Sequence, residues 1–307
     1  MYPITLDQLT VFLTVAEQGS FSAAARSLRR AQSAVSYAIA NLERLLEVEL
    51  FDRAGRTPRL TDAGRSLLAD ARTVVSQVEL LSARAKGIAG GIEPELALVV
   101  DMMFPTSILT LALRAFLEEF PTVSLRLYTE GLGAVSQHVL TGTCSLGISG
   151  PMLTSSPKLA RVPLLQIQMR TVVASTHPLA THDAPIGTAD LRDQIQIVLT
   201  DRSPLTAGVD AGVLANRTWR VADLHTKHAL LVEGFGWGNM PLHLVAEDLQ
   251  AGRLRSIHPV EFGEEFTMPI SLLYRASTPP GVAGGWLRDT LLALCGDFHE
   301  RASSLVE

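Results

Sequence analysis

The sequence predicts an α/β chain headed by an all-α unit of winged helix-turn-helix pattern, followed by one long linker helix and a C-terminal α/β region. Three observations carry this. Residues 5–62 hold three short amphipathic helix patterns and then a basic loop containing glycine; residues 62–90 carry a heptad; from Pro94 onward strand patterns alternate with helical ones. A chain of 307 residues can bury more than one core. Its 47% hydrophobic content and mean hydropathy of +0.23 are those of a globular protein rather than a disordered one. No apolar run approaches the roughly 18 residues of a membrane span. The start, Met1-Tyr2-Pro3-Ile4-Thr5, lacks the basic and apolar regions of a secretion signal. Cys144 and Cys295 are too few for a disulfide framework and suit a reducing compartment, so a cytoplasmic location without a membrane partner is expected.

The first helix opens on a sharp boundary. Thr5 and Gln8 form a T-x-x-Q capping box, Ile4 and Leu9 stand at the positions of a hydrophobic staple, and Gly19 closes the element. Leu6, Leu9, Phe12, Leu13 and Ala16 keep helical spacing between them. Ser20 or Ser22 caps a second helix whose Ala24, Ala25 and Leu28 face inward. A third helix should run from Gln32 to Leu46, with Val35, Ile39, Leu42 and Leu46 as its buried stripe. Its other side offers Gln32, Ser33, Ala34, Ser36, Tyr37 and Ala40, which suits a helix laid in a major groove. A Gln near the helix start pairs bidentately with adenine, and hydroxyls reach bases or phosphates. Arg29 and Arg30 precede this helix, and the loop after Leu50-Phe51 carries Arg53, Arg56 and Arg59, all candidate contacts to the sugar-phosphate backbone. The charge distribution agrees. The chain carries −5 in total, but residues 1–91 hold 11 basic against 9 acidic side chains, and the remainder 15 against 22.

These residues resemble the N-terminal domain of the LysR-type transcriptional regulators. The shared pattern is Leu9, Phe12, Gly19-Ser20-Phe21, Ala24-Ala25, Leu28, Gln32, Val35-Ser36, Leu42-Glu43, Leu50-Phe51, Arg53 and Leu60-Thr61-x-x-Gly64, with the helix-turn-helix at about 21–40. Three positions depart from it. Ala31 replaces a capping Ser, Ser33 a Pro, and Glu47 a Gly. Ser33 is expected to take over part of the capping, and Glu47 to cost some stability at a left-handed position.

Thr61 and Asp62 supply a cap and a first-turn negative charge for the linker helix. Leu67, Ala71, Val74, Val78, Leu81, Ala85 and Ile88 then recur at alternating steps of four and three, a seam suited to pairing with another helix over roughly 40 Å. Gly87, Gly90 and Gly91 end it. The resemblance implies that this helix dimerises the chain, placing two heads on two half-sites of double-stranded operator DNA. It further implies tetramers, a small-molecule effector, RNA polymerase as a partner, and no cofactor.

Strands are expected at Leu96–Asp101, Val123–Glu130, Ser145–Ser149, Thr171–Ser175, Ile195–Thr200, Trp237–Met240 and Ile270–Tyr274, with a helix over Pro105–Phe120. On the second of these strands, Val123, Leu125 and Leu127 share one face. The region resembles the two-lobed type 2 periplasmic-binding-like domain of the same regulators, through Phe120-Pro121, His177-Pro178-Leu179-Ala180, Glu233-Gly234-Phe235-Gly236-Trp237-Gly238, Met240-Pro241 and Leu249-x-x-Gly252-x-Leu254. The resemblance places an effector domain over 94–303, with one lobe at about 94–162 and 268–303 and the other at about 163–267. In such a fold the ligand sits between lobes, at carboxyl ends of strands and starts of helices. Asp101, Met102, Met103, Thr106, Thr129 and Glu130 are the candidates on one side. Thr200, Arg202, Ser203 and His225, the last placed just before the helix carrying Lys227, are those on the other. Trp237, among glycines, reads as core.

Neither a G-x-S-x-G elbow, a Walker loop, nor a G-x-G-x-x-G after a strand is present, and His225 and His228 lack partners at metal-site spacing, so no catalytic or metal residue is expected. A solute-binding protein would account for the C-terminal half but not for the head and heptad. An α/β enzyme would need a nucleophile, cofactor loop or metal cluster.

Overall fold

The computed structural model describes residues 4–52, 57–151, 156–182, 185–200, 203–206, 212–263 and 266–304. Arg53, Arg56 and Arg202 lie outside the described residues. The chain forms two compact units, Met1–Ala89 and Gly90–Glu307.

In the first unit, α1 (Leu6–Gln18) starts with the expected reciprocal cap: Gln8 N–H donates to Thr5 Oγ1, and Thr5 N–H to Gln8 Oε1. It ends at Gly19 in the left-handed conformation. Ser20 caps α2 (Phe21–Ser27), accepting from Ala23 N. α3 (Gln32–Leu46) has the expected limits, but its N-cap is Ala31 and no side chain closes it; Ser33 does not assume the role among the described hydrogen bonds. At the other end Glu47 takes φ 58° and ψ 28°, the left-handed cap foreseen for it. Val11, Phe12, Val15, Ala24, Val35, Ile39, Leu42, Leu50 and Phe51 close one core between these helices, and Phe51 sets its ring edge-on to Phe12 and Phe21. β1 (Phe51–Asp52) and β2 (Arg59–Leu60) pair antiparallel to form the base of the wing.

The linker helix is α4 (Asp62–Ala89), and Thr61 Oγ1 accepts from Gly64 N at its start. Its seam divides in two. Ala71 is buried in the head core, with Leu67, Leu68 and Val75 packed on it, so this part of the seam is covered at least in part by its own domain. Beyond them Val74, Leu80, Leu81 and Ile88 are exposed at 47%, 43%, 65% and 51%. A stripe that one body buries and then leaves bare keeps the same period throughout, which is why spacing alone did not separate the halves.

The second unit contains β3 (Glu95–Asp101), α5 (Thr106–Glu119), β4 (Ser124–Glu130), α6 (Gly133–Leu140) and β5 (Leu146–Ser149). It continues with β6 (Leu159–Ala174), α7 (Thr188–Arg192), β7 (Ile195–Leu199), β8 (Arg217–Val221) and α8 (Leu224–Val232). β9 (Trp237–Pro241), α9 (Leu242–Gln250), β10 (Leu254–Ile257), β11 (Thr267–Arg275) and α10 (Val282–Ser304) complete it. The sheet order is β4-β3-β5-β11-β6-β9-β7-β8, with β10 also on β6. β3 is parallel to β4 and β5, and β7 is parallel to β8 and β9, as helical crossovers require. The sixteen residues of β6 join the two groups, pairing with β11 in its first part and with β9 and β10 in its last. β8, β10 and the first half of β6 were not expected from sequence. Leu125 and Leu127 turn outward on β4, an edge strand, rather than into the core. Trp237 is fully buried, as expected.

Candidate DNA-reading face and effector cleft

The outer face of α3 is built from below. Val35, Ile39 and Leu42 anchor it, leaving Gln32, Ser33, Ala34 and Tyr37 exposed and Ser36 half-buried; Tyr37 is 74% exposed. Because Ala31 offers no side-chain acceptor, the first amides of α3 stay open to an anion such as a phosphate oxygen. Glu43 ties α3 to the first wing strand, its Oε1 accepting from Leu50 N at 2.9 Å and from Phe51 N at 3.1 Å. Arg29 and Glu47 both stand at left-handed positions, with φ 54° and 58°. After α2, Arg30 N–H returns to Ala25 O and Arg29 N–H to Arg26 O, the Schellman pattern in which glycine is usual. Arg30 is engaged: its Nη1 and Nη2 donate to Asp7 at 2.9 and 2.6 Å, and this hydrogen bonding holds the Asp7 carboxyl below its ordinary range. Of the two arginines at the turn, Arg29 is therefore the better placed for phosphate. Arg59 is exposed on β2.

In the second unit the expected effector residues separate into two groups. Asp101 is 1% exposed; its carboxylate accepts from Met103 N at 2.9 Å and Gly150 N at 3.2 Å. Met103 is buried beside it. Asp101 thus ties the loop after β3 to that after β5, and both side chains are buried rather than open at the surface expected for a ligand contact. Thr106 is exposed at the first turn of α5, whose N-cap is Pro105 without a side-chain bond. Thr129 is exposed on β4. Glu130 and Ser203 come together, lining one pocket of about 320 Å³ with Gln137, His138, Thr141 and Thr143. His138 stacks on Tyr128 at 5.0 Å and lies 3.9 Å from Glu130. Thr200 N–H donates to Val221 O, joining the ends of β7 and β8. Leu199 reaches across to the first lobe: a Cβ at Gly131 would stand 3.7 Å from it and 3.1 Å from Met102. His225 lies inside α8 and is exposed; the inward positions are Leu224, Lys227 and Leu231. Lys227 was not among the expected site residues, although a lysine within an apolar stripe at helical spacing was a signal in the sequence. Among the described residues no cluster of His, Cys, Asp or Glu is arranged for a metal ion, and no helix is long and apolar enough to cross a membrane.

Two family models match the chain: the bacterial regulatory helix-turn-helix protein, lysR family, over residues 6–65, and the LysR substrate binding domain over residues 89–296. The chain is 30% identical over 291 residues to the uncharacterized HTH-type transcriptional regulator YeeY of Escherichia coli (strain K12), covering 94% of this chain and 93% of that one. It is 26% identical over 287 residues to the HTH-type transcriptional regulator AceR of Acinetobacter baumannii, covering 93% and 96%. Among solved structures, a mutant of OxyR from Corynebacterium glutamicum matches with a TM-score of 0.52 at 25% identity, over 97% of this chain and 93% of that one. Full-length BenM matches with a TM-score of 0.51 at 20% identity, over 97% and 98%, a likeness of fold. The helix-turn-helix head matches the first of these models and the α/β unit the second, and the chain belongs to the LysR family of transcriptional regulators, with a DNA-binding head and an effector-binding domain.

Proposed function

We propose that this chain acts in the cytoplasm as a non-enzymatic, oligomeric switch, reading double-stranded operator DNA through α3 and answering a small molecule held between its lobes. The observation that carries the reading is the outer face of α3, a polar, open-ended helix start held rigid by Val35, Ile39, Leu42 and the Glu43 clamp. Gln32, Ser33, Ser36 and Tyr37 meet base edges, and Arg29, Arg59, Arg53 and Arg56 meet phosphates. Arg30 joins them only by releasing Asp7. The dimer forms through Val74, Val78, Leu81 and Ala85. The bare half of α4 supports this, as does an apolar groove of about 440 Å³ that α1 and α4 line with Leu6, Leu9, Leu67, Val74 and Val78. Contacts between effector domains pair dimers into a tetramer that works with RNA polymerase.

The effector meets Thr106, Thr129, Glu130, Thr200, Ser203 and Arg202, with His225 at the rim. Burial pushes both thiols, Cys144 and Cys295, up to about 11, so neither is a thiolate at neutral pH, which favours ligand binding over thiol oxidation as the signal. Fluorescence anisotropy on promoter fragments flanking the gene tests the reading. Specific, saturable binding is expected, weakened in Ser36→Ala. Binding no tighter than to random DNA would overturn it.

A further inference from the structure

Only three of the 26 basic side chains are lysines: Lys86, Lys158 and Lys227. Lys227 stands where an apolar residue belongs, between Leu224 and Leu231 on the inward stripe of α8, and is 5% exposed. Gly238 makes its seat: a Cβ there would stand 3.1 Å from Lys227 Cε and 2.9 Å from the Ile197 carbonyl oxygen. Among the described residues no acceptor or carboxylate meets its ammonium. With only 5% of the residue exposed, stem and ammonium are both largely covered. Burial lowers its pKa to about 8, which leaves roughly nine in ten charged at pH 7. A lysine so buried normally has a partner.

A second cation shares the face. The β6–β9 register sets Val172 opposite Gly238 and Arg170 opposite Met240, and directly opposed residues point to the same side. Arg170 is half-buried; it donates to the Met169 carbonyl at 3.0 Å and has no carboxylate partner among the described residues. Helical side chains lean toward the helix N-terminus, and α8 begins just beyond the carboxyl end of β8, where Val221 pairs with Leu199. Lys227 therefore leans toward the edge at which Leu199 crosses to Gly131, and Arg170 lies on the same face of the sheet.

We infer that Lys227, with Arg170 beside it, is the counter-charge for a small carboxylate bound between the lobes. The inference rests on reading that cleft as the effector site and names the ligand class. A carboxylate fits better than a phosphate, because the first amides of α8 that would serve extra oxygens are taken by Asp223, which accepts from His225 N and Thr226 N.

The full-length protein labelled with ¹³Cε-lysine gives three signals, that of Lys227 assigned by its loss in Lys227→Gln, or in Lys227→Met should the first variant fail to fold. The probes are sodium pyruvate, benzoate and succinate, their carboxamides, and sodium phosphate and sulfate, at constant ionic strength. At least one carboxylate should shift the Lys227 signal and raise Tm by about 5 °C at roughly a hundred times its Kd. Its amide should bind about tenfold more weakly or worse, and the Tm response should vanish in the variant. The inference is overturned if no carboxylate moves the signal, if only phosphate or sulfate does, if the amide binds equally, or if the variant keeps the response. Wild-type binding to promoter DNA is measured in parallel; its absence would count against the regulator reading instead.

Discussion

At Glu47 the backbone adopts a left-handed conformation that a side chain disfavours, and the bonds there, from Glu47 N–H and Val48 N–H to Glu43 O, are ones that any residue would make. Glu47→Gly should therefore stabilise the head by about 1 kcal/mol, read as a rise in Tm or in the urea midpoint. Lys227 destabilises the ligand-free protein more. Its folded pKa of about 8 lies below the ordinary 10.5, so between those values the unfolded chain binds more protons and stability rises with pH. Below pH 8 both states are protonated and the full penalty, roughly 3 kcal/mol, is present. Lys227→Met should raise the Tm of the ligand-free protein by several degrees near pH 7 and flatten the rise between pH 8 and 10.5 relative to wild type. An unchanged profile would mean that the ammonium is solvated in the folded protein. Single residues of this kind are the least legible part of a sequence. Asp101 at the end of a strand reads equally well as a ligand contact or a loop latch, and its latching bonds to Met103 N and Gly150 N appear only in the folded chain.

Whole elements were legible where their signals are local. The Thr5–Gln8 box, the Gly19 stop and the stripe of α3 fixed two helices to the residue, since each depends on side chains within a turn or two. The wing-to-linker junction carries another local signal whose cause appears only in three dimensions. Gly64 opens α4, and a Cβ on it would lie 2.2 Å from the Leu50 carbonyl oxygen. Gly64→Ala should thus push α4 off the first wing strand and destabilise the head by about 1–3 kcal/mol, visible as a lower Tm and weaker DNA binding. The bare half of α4 supplies a further test. Val78→Asp would place a carboxylate on the proposed dimer seam, costing several kcal/mol of assembly. Light scattering should report a smaller species with weaker operator affinity, whereas unchanged mass would show the helix packing within one chain. Strands hid where their pattern departs from plain alternation. β6 carries Pro163 and polar residues on its way between two groups of strands, and β8 is an exposed edge rich in arginine.

For the molecule as a whole, the order of units was plain from sequence, but the composition of the effector cleft was not, because its residues come from strand ends far apart in the chain. A ligand there acts only through a difference in affinity between two arrangements of the protein, typically about 1–3 kcal/mol. A compound that stabilises the protein should therefore change operator affinity or the DNase footprint by about 5–150-fold or shift its boundaries, and Ser203→Ala should reduce that effect. Binding without any change on DNA would make the cleft a passive site. The bare end of α4 reaches further than geometry. Among the described residues none of 76–89 belongs to the head core, although Val78 lines the groove beside α1, and a helix of that length with so little support is only marginally stable in water. Under the proposed assembly its order is supplied by another copy, so mass action makes the integrity of the linker a function of how much protein the cell holds. Scarce copies would expose a fraying, protease-accessible stretch and be cleared, while abundant ones would protect one another, giving the regulator a concentration threshold set by its own fold. Amide exchange in residues 76–89 should accelerate on dilution, while that of α1–α3 stays constant.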